Sequence, residues 1–162
     1  MESATRALRS MNVNIAVVQE EKLLGGMHNR LLLGYAVMVI DVRNTRFGGF
    51  AFLWEESELY ELEEAKARGP NVVSFKIQIG TYHYYVVECY IPPSNVAGTT
   101  LMCIEQAMAQ MPKGCTPLIV GDLNVYLDYP RNDRDKAIAD AMDAHDVSYF
   151  TRHFGHRRGR LI

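Results

Sequence analysis

The sequence predicts an α/β or α+β fold in which sheets are covered by helices, and three observations predict it. Short apolar runs rich in Val, Ile, Tyr and Phe recur along the chain, as in VVSFKIQIG and TYHYYVVECYI. Two later segments carry their apolar residues at helical spacing instead. The 162 residues are 48% hydrophobic and 22% charged, which suits one soluble domain with a single sizeable core.

Taken in order, residues 3–10 form a short helix with Ser3 as its cap. NIAVVQE (14–20) is a compact apolar run with a polar end, hence a buried strand. KLLGGMHNRLLLGY reads as loop around Gly25 and Gly26. YAVMVIDV (35–42) and FAFLW (50–54) read as a hairpin through RNTRFGG, whose Asn44 and glycines supply turn conformations. In 55–66 propensity favours a helix, but alternation favours a strand over 58–65, and the strand is the preferred reading. VVSFKIQIG (72–80) and TYHYYVVECYI (81–91) are long adjacent antiparallel strands joined at Gly80, ended by Pro92 and Pro93. Leu101, Ile104, Ala107, Met108 and Met111 mark a helix within 97–111, closed by Pro112 and Gly114. TPLIVGD (116–122) is a further buried strand. A second amphipathic helix occupies roughly 132–145, and 146–162 is a polar, basic tail.

Charge narrows the function classes. The formal net charge of −2 gives no global signature of a nucleic-acid binder, although it leaves room for an enzyme that touches a few phosphates. Six acids occupy 55–64, while Arg152, Arg157, Arg158 and Arg160 crowd the last eleven positions. The three cysteines are widely spaced, with no CxxC pair, and point to reduced thiols of an intracellular protein, cytoplasmic or nuclear. No start resembling a signal peptide and no apolar stretch near the roughly 20 residues of a membrane helix is visible, so no membrane is expected.

The chemistry-bearing pattern lies where polar residues end buried strands. Glu20 ends one, and Asp122 and Asn124 end another in GDLN. Carboxylates on a sheet rim can converge on a cation without being entombed, and Mg²⁺ favours few carboxylate oxygens supplemented by water and phosphate. Asn124 adds an amide able to donate to a phosphate or hold a carboxylate, and Tyr90 sets a phenol at a third strand end. Each feature alone has a plainer reading, as a solvated strand end, a turn signal or a packed tyrosine. Their order along the chain is what gives them weight.

VVQE (17–20), YIPPSN (90–95) and LIVGDLN (118–124) together resemble the endonuclease/exonuclease/phosphatase family in order and approximate spacing. EEAKARGPNVVSF (63–75), the GGFAFLW strand and the HFGHRRGR tail resemble more closely the endonuclease domains of non-LTR retrotransposons. The resemblance covers roughly 12–160 and implies a two-sheet α/β sandwich with its site at the sheet ends. It implies that Glu20 is a metal ligand for Mg²⁺ or Mn²⁺ and that Tyr90 contacts the scissile phosphate or its network. It further implies that Asp122 acts in proton transfer and that Asn124 orients that carboxylate and the phosphate. The family's opening strand with a catalytic asparagine and its closing Ser-Asp-His element have no counterpart here. His145–Asp146 does not match that element, and His153 and His156 read as solvated. The expectation is therefore a single incomplete domain over 1–162, of retroelement type, acting on DNA with weak or no turnover. Strands removed from a sandwich leave edges that favour self-association or a strand-donating partner. The alternative is a non-catalytic binding module in which Arg157, Arg158 and Arg160 grip a nucleic-acid backbone.

Overall fold

A computed structural model of the chain describes residues 2–21, 28–40, 49–56, 60–63, 65–69, 71–93, 98–127 and 129–144. Among the described residues three helices, α1 (Glu2–Ser10), α2 (Gly98–Ala109) and α3 (Asp133–Ala144), accompany nine strands. The strands are β1 (Ile15–Glu21), β2 (His28–Leu32), β3 (Tyr35–Ile40), β4 (Gly49–Glu55), β5 (Tyr60–Leu62), β6 (Lys66–Gly69), β7 (Val72–Ile79), β8 (Tyr82–Tyr90) and β9 (Thr116–Asp122). They build two sheets, one ordered β1-β4-β3-β2 and the other β5-β7-β8-β9, with β6 also pairing β7. The fold is a two-sheet α/β sandwich.

Period-two alternation sorts the core into layers. Phe50 and Phe52 of β4, Phe75 and Ile77 of β7, and Val86 and Tyr90 of β8 share the buried cluster between the sheets. Phe52 and Phe75 meet there with ring centroids 4.8 Å apart, a tilted aromatic contact. The intervening residues of the first sheet, among them Val37, Val39, Ala51 and Leu53, pack against Leu8 of α1. Those of the second sheet, Val72, Tyr85, Val87 and Cys89, pack against Ile104 and Ala107 of α2 and Met142 of α3. The order of layers is thus helix, sheet, sheet, helices.

Strand pairing is antiparallel throughout except at one place. β8 and β9 run parallel, in a register that places Tyr84 opposite Thr116 and Tyr90 opposite Asp122. Parallel neighbours need a crossover, and α2 supplies it between them. The consequence is that two strands end together at the same rim.

Two differences from the sequence reading have local causes. His28–Leu32, read as loop, is a strand paired with β3, because Arg30 and Leu32 lie opposite Val37 and Tyr35 on a preformed edge despite the neighbouring glycines. Of the strand expected over 58–65 the structure describes Tyr60–Leu62 as β5, and Lys66–Gly69, beyond that segment, forms the additional strand β6. The helix expected over 97–111 runs from Gly98 to Ala109, and the one over 132–145 from Asp133 to Ala144. Among the described residues no helix is long and apolar enough to cross a membrane. The basic tail, with Arg157, Arg158 and Arg160, lies outside the described residues.

Candidate active site

The parallel register brings the Tyr90 and Asp122 backbones side by side at the carboxyl ends of β8 and β9. Beyond them the chains stay knitted together: the Ile91 amide donates to the Asp122 carbonyl at 2.9 Å. Asn124 closes the corner. Its backbone N–H donates to Asp122 Oδ1 at 2.8 Å, and its side-chain Nδ2 donates to the Ile91 carbonyl at 3.1 Å. Asn124 sits at φ 49°, a left-handed conformation that asparagine tolerates better than most residues. Asp122 is exposed, Asn124 is half-buried and Tyr90 is buried. The backbones of Tyr90 and Asp122 and the bridging Asn124 therefore meet at one rim, while the Tyr90 ring packs in the cluster between the sheets.

The opposite sheet reaches this rim through a residue that sequence reading passed over. Gln19 of β1 donates from Nε2 to the Cys89 carbonyl at 2.7 Å, and its Oε1 accepts the Asp122 backbone N–H at 3.0 Å. One side-chain amide thus spans both sheets and ties β1 to β8 and β9. The close approach needs Gly121, whose φ of 141° and missing side chain leave room. A Cβ there would collide with the Cys89 carbonyl and the Gln19 amide. The glycine in GDLN is thereby a packing requirement as well as a turn signal.

Glu20 follows Gln19 directly. Gln19 pairs with Phe50 and Glu21 with Gly49, so two steps on β1 match one on β4 and Glu20 occupies a bulge. Bulges re-aim the strand where they fall and are common beside functional sites. The Glu20 backbone is therefore placed next to the residue that holds Asp122, while its side chain lies outside what the structure describes.

Arg134, in the first turn of α3, supports the rim from below. Its guanidinium donates to the carbonyls of Asn124 at 2.9 Å and of Leu123 and Pro92 at 3.3 Å. It also lies 3.4 Å from Asp135. Asn132 caps α3 by accepting the Asp135 N–H at 2.8 Å, and Asp135 in return accepts the Arg131 N–H at 3.2 Å. A helix cap and a clamp of carbonyls thus fix the loop that follows Asp122.

The electrostatics are uneven. Glu88, one pleat back from Tyr90, is fully buried, and among the described residues neither carboxyl oxygen has a hydrogen-bond partner. Burial pushes its pKa well above the ordinary carboxylate value. The Cys89 thiol is pushed up to about 12, first by burial and then by the nearby Glu88 and Asp122 charges. Cys89 is accordingly a packing residue, not a nucleophile.

No family model matches the sequence, and no curated protein matches it either. Among solved structures the chain resembles the endonuclease domain of TRAS1, a telomere-specific non-LTR retrotransposon. The TM-score is 0.66 at 14% identity, over 86% of this chain and 62% of that one. The fold is endonuclease-like. At this identity the likeness concerns the fold, and the present chain spans under two thirds of the neighbour's length.

A donor set for a divalent cation can be judged from the rim itself. Among the described residues no three His, Cys, Asp or Glu side chains gather into a ligand group. Mg²⁺ needs fewer, because it keeps several waters and binds through one or two carboxylates plus phosphate oxygens. Asp122 is exposed, and only its Oδ1 is engaged within the described residues, so hard oxygen capacity remains at the strand end.

Proposed function

We propose that the rim formed by β8, β9 and β1 is a divalent-metal-dependent phosphodiester-cleaving site of the endonuclease type. The observation that carries this reading is the parallel pairing of Tyr90 with Asp122, closed by the Asn124 bridge to both strands, within an endonuclease-like fold. Asp122 exchanges a proton with the attacking or leaving oxygen. Asn124 fixes the orientation of that carboxylate by its backbone N–H, and Tyr90 contributes to holding the phosphate. Glu20, with Asp122 nearby, would hold Mg²⁺ or Mn²⁺, which supplies charge stabilisation to the phosphoryl oxygens when bound. DNA is the proposed substrate class. Turnover by these residues alone is expected to be low, because catalytic groups act as a set and only the corner of Tyr90, Asp122 and Asn124 meets here.

Cleavage of supercoiled and abasic-site DNA with Mg²⁺ or Mn²⁺ tests the reading, run beside the Asp122→Asn and Glu20→Gln variants. Cleavage by the parent that both variants lose by about a hundredfold or more supports it. Equal rates for parent and variants would overturn it. A second reading, a nucleic-acid-binding module without turnover, is favoured by the exposed aromatic side chains beside the rim. The basic tail residues Arg157, Arg158 and Arg160 would add backbone contacts in that case. Binding that falls steeply with salt and is lost on deleting 152–162, without cleavage, would select it.

A further inference from the structure

The loop that leaves Asp122 and enters α3 carries two aromatic rings and a cation with no evident role in folding. Tyr129 is 78% exposed, the most exposed large apolar or aromatic side chain among the described residues, and Tyr126 is 40% exposed. The Arg131 guanidinium lies 3.6 Å from the Tyr126 ring centroid, stacked on its face. Arg131 is itself exposed, so the outer face of this stack meets solvent. Beneath it the backbone is held at several points. Arg134 grips the Leu123 and Asn124 carbonyls, the Arg131 N–H is fixed by Asp135, and Asn132 caps α3. Leu123, Val125 and Leu127 anchor the loop in a small core with Ile91 and Ile138.

This alternation is informative. The odd positions 123, 125 and 127 turn inward, while the rings of Tyr126 and Tyr129 remain outside. The first set packs into the core, whereas Tyr126 is covered on one face by Arg131 and Tyr129 stands largely in solvent. A guanidinium–phenol stack and an exposed phenol ring, on a loop tied at several backbone points, are the parts of a stacking platform for planar heteroaromatic groups. The cation also suits a neighbouring phosphate.

We infer that Tyr126, Arg131 and Tyr129 form a base-stacking platform that takes an unpaired nucleobase of a nucleic-acid strand. This rests on the reading of the adjoining strand ends as a phosphodiester site, for which the platform grips the base next to the phosphate presented to Asp122. An unpaired base is specified because a ring within a duplex has both faces already covered by its neighbours.

The test uses the full chain in EDTA, so that binding is measured without cleavage. Fluorescence anisotropy compares a labelled 12-mer of thymidine with an abasic 12-mer of the same phosphate count. The thymidine strand should bind about tenfold more tightly. Tyr129→Ala and Tyr126→Ala should each remove most of that difference, whereas Tyr129→Phe and Tyr126→Phe keep it, since phenylalanine stacks without the hydroxyl. Thermal melts matching the parent establish that the alanine variants are folded. Equal affinity for the two strands, no binding of either, or alanine variants that retain the preference would each overturn the platform. Cleavage assays on Asp122→Asn separate the two ideas. A base preference in a parent chain that cleaves no faster than Asp122→Asn sinks the phosphodiester reading and leaves the platform standing.

Discussion

Glu88 is the residue with the clearest solution consequence. The unfolded chain titrates this carboxyl near the ordinary value of 4.5, whereas the folded chain, burying it without a partner among the described residues, keeps its proton to higher pH. Between the two values the native state binds more protons than the unfolded state. Its stability is therefore fully present below the unfolded pKa and is lost as pH rises toward the folded one. Thermal melts from pH 4 to pH 8 should show the parent losing stability as pH rises. Glu88→Met should flatten that slope and raise the midpoint at pH 8 by about 5 °C; an unchanged slope would mean the carboxyl finds a partner in solution. Gly121 gives an opposite forecast. Adding a methyl at φ 141° against the Cys89 carbonyl should cost about 3 kcal/mol, read as a fall in the urea midpoint on Gly121→Ala. Cys89, fully buried and with its thiol pushed up to about 12, should resist an aromatic disulfide reagent until the chain is unfolded.

At the scale of elements, the strand ends were legible and the ties between them were not. Asp122 and Asn124 stand out because polar residues interrupt a run of apolar ones, TPLIV, at a point where a strand must stop. Tyr90 stands out because two prolines follow closely. Gln19 was invisible for a physical reason: a glutamine ahead of a strand-end glutamate reads as the beginning of solvent, and only sheet-to-sheet distance reveals that its amide is bonded at both ends. Arg134 was hidden likewise, because an arginine between two aspartates in a first helical turn reads as a solvated charge. β2 was missed because HNRLL lacks clean alternation and depends on β3 for its strand form. Replacing Gln19 by Ala takes the donor from the part-buried Cys89 carbonyl and tests how much this tie matters. We expect a loss of about 1–3 kcal/mol in urea unfolding, with any cleavage activity falling alongside it.

For the whole molecule, the sandwich has β1 at the end of one sheet and β9 at the end of the other among the described strands. Between them lies a wholly apolar cavity of about 140 Å³, lined by Ile15, Val17, Phe52, Leu118 and Val120 among others. Leu118 on β9 is 45% exposed. Unpaired strand edges beside apolar surface are templates for pairing with another chain. Light scattering across a concentration series should therefore give masses above the 18.4 kDa of one chain. A constant single-chain mass would show that these edges are covered within the molecule. The fold class was visible in the sequence because alternation and helical spacing survive at this length. The relation of the two sheets was not, because no local pattern encodes which faces meet.

The Gln19 amide also gives the sandwich a mechanical property. Its reach is set by bond lengths, so at this rim it acts as a strut of fixed length between the sheets. Elsewhere the spacing is set by side-chain volume and can swell or shrink with the residues chosen. A bulkier side chain at Val120 would thus pry against a strut that cannot lengthen, and the sheets would pivot about it. Asp122, hung directly on that strut, would turn with the pivot. The volume packed at the partly buried Val120 would in this way bear on the backbone that carries Asp122.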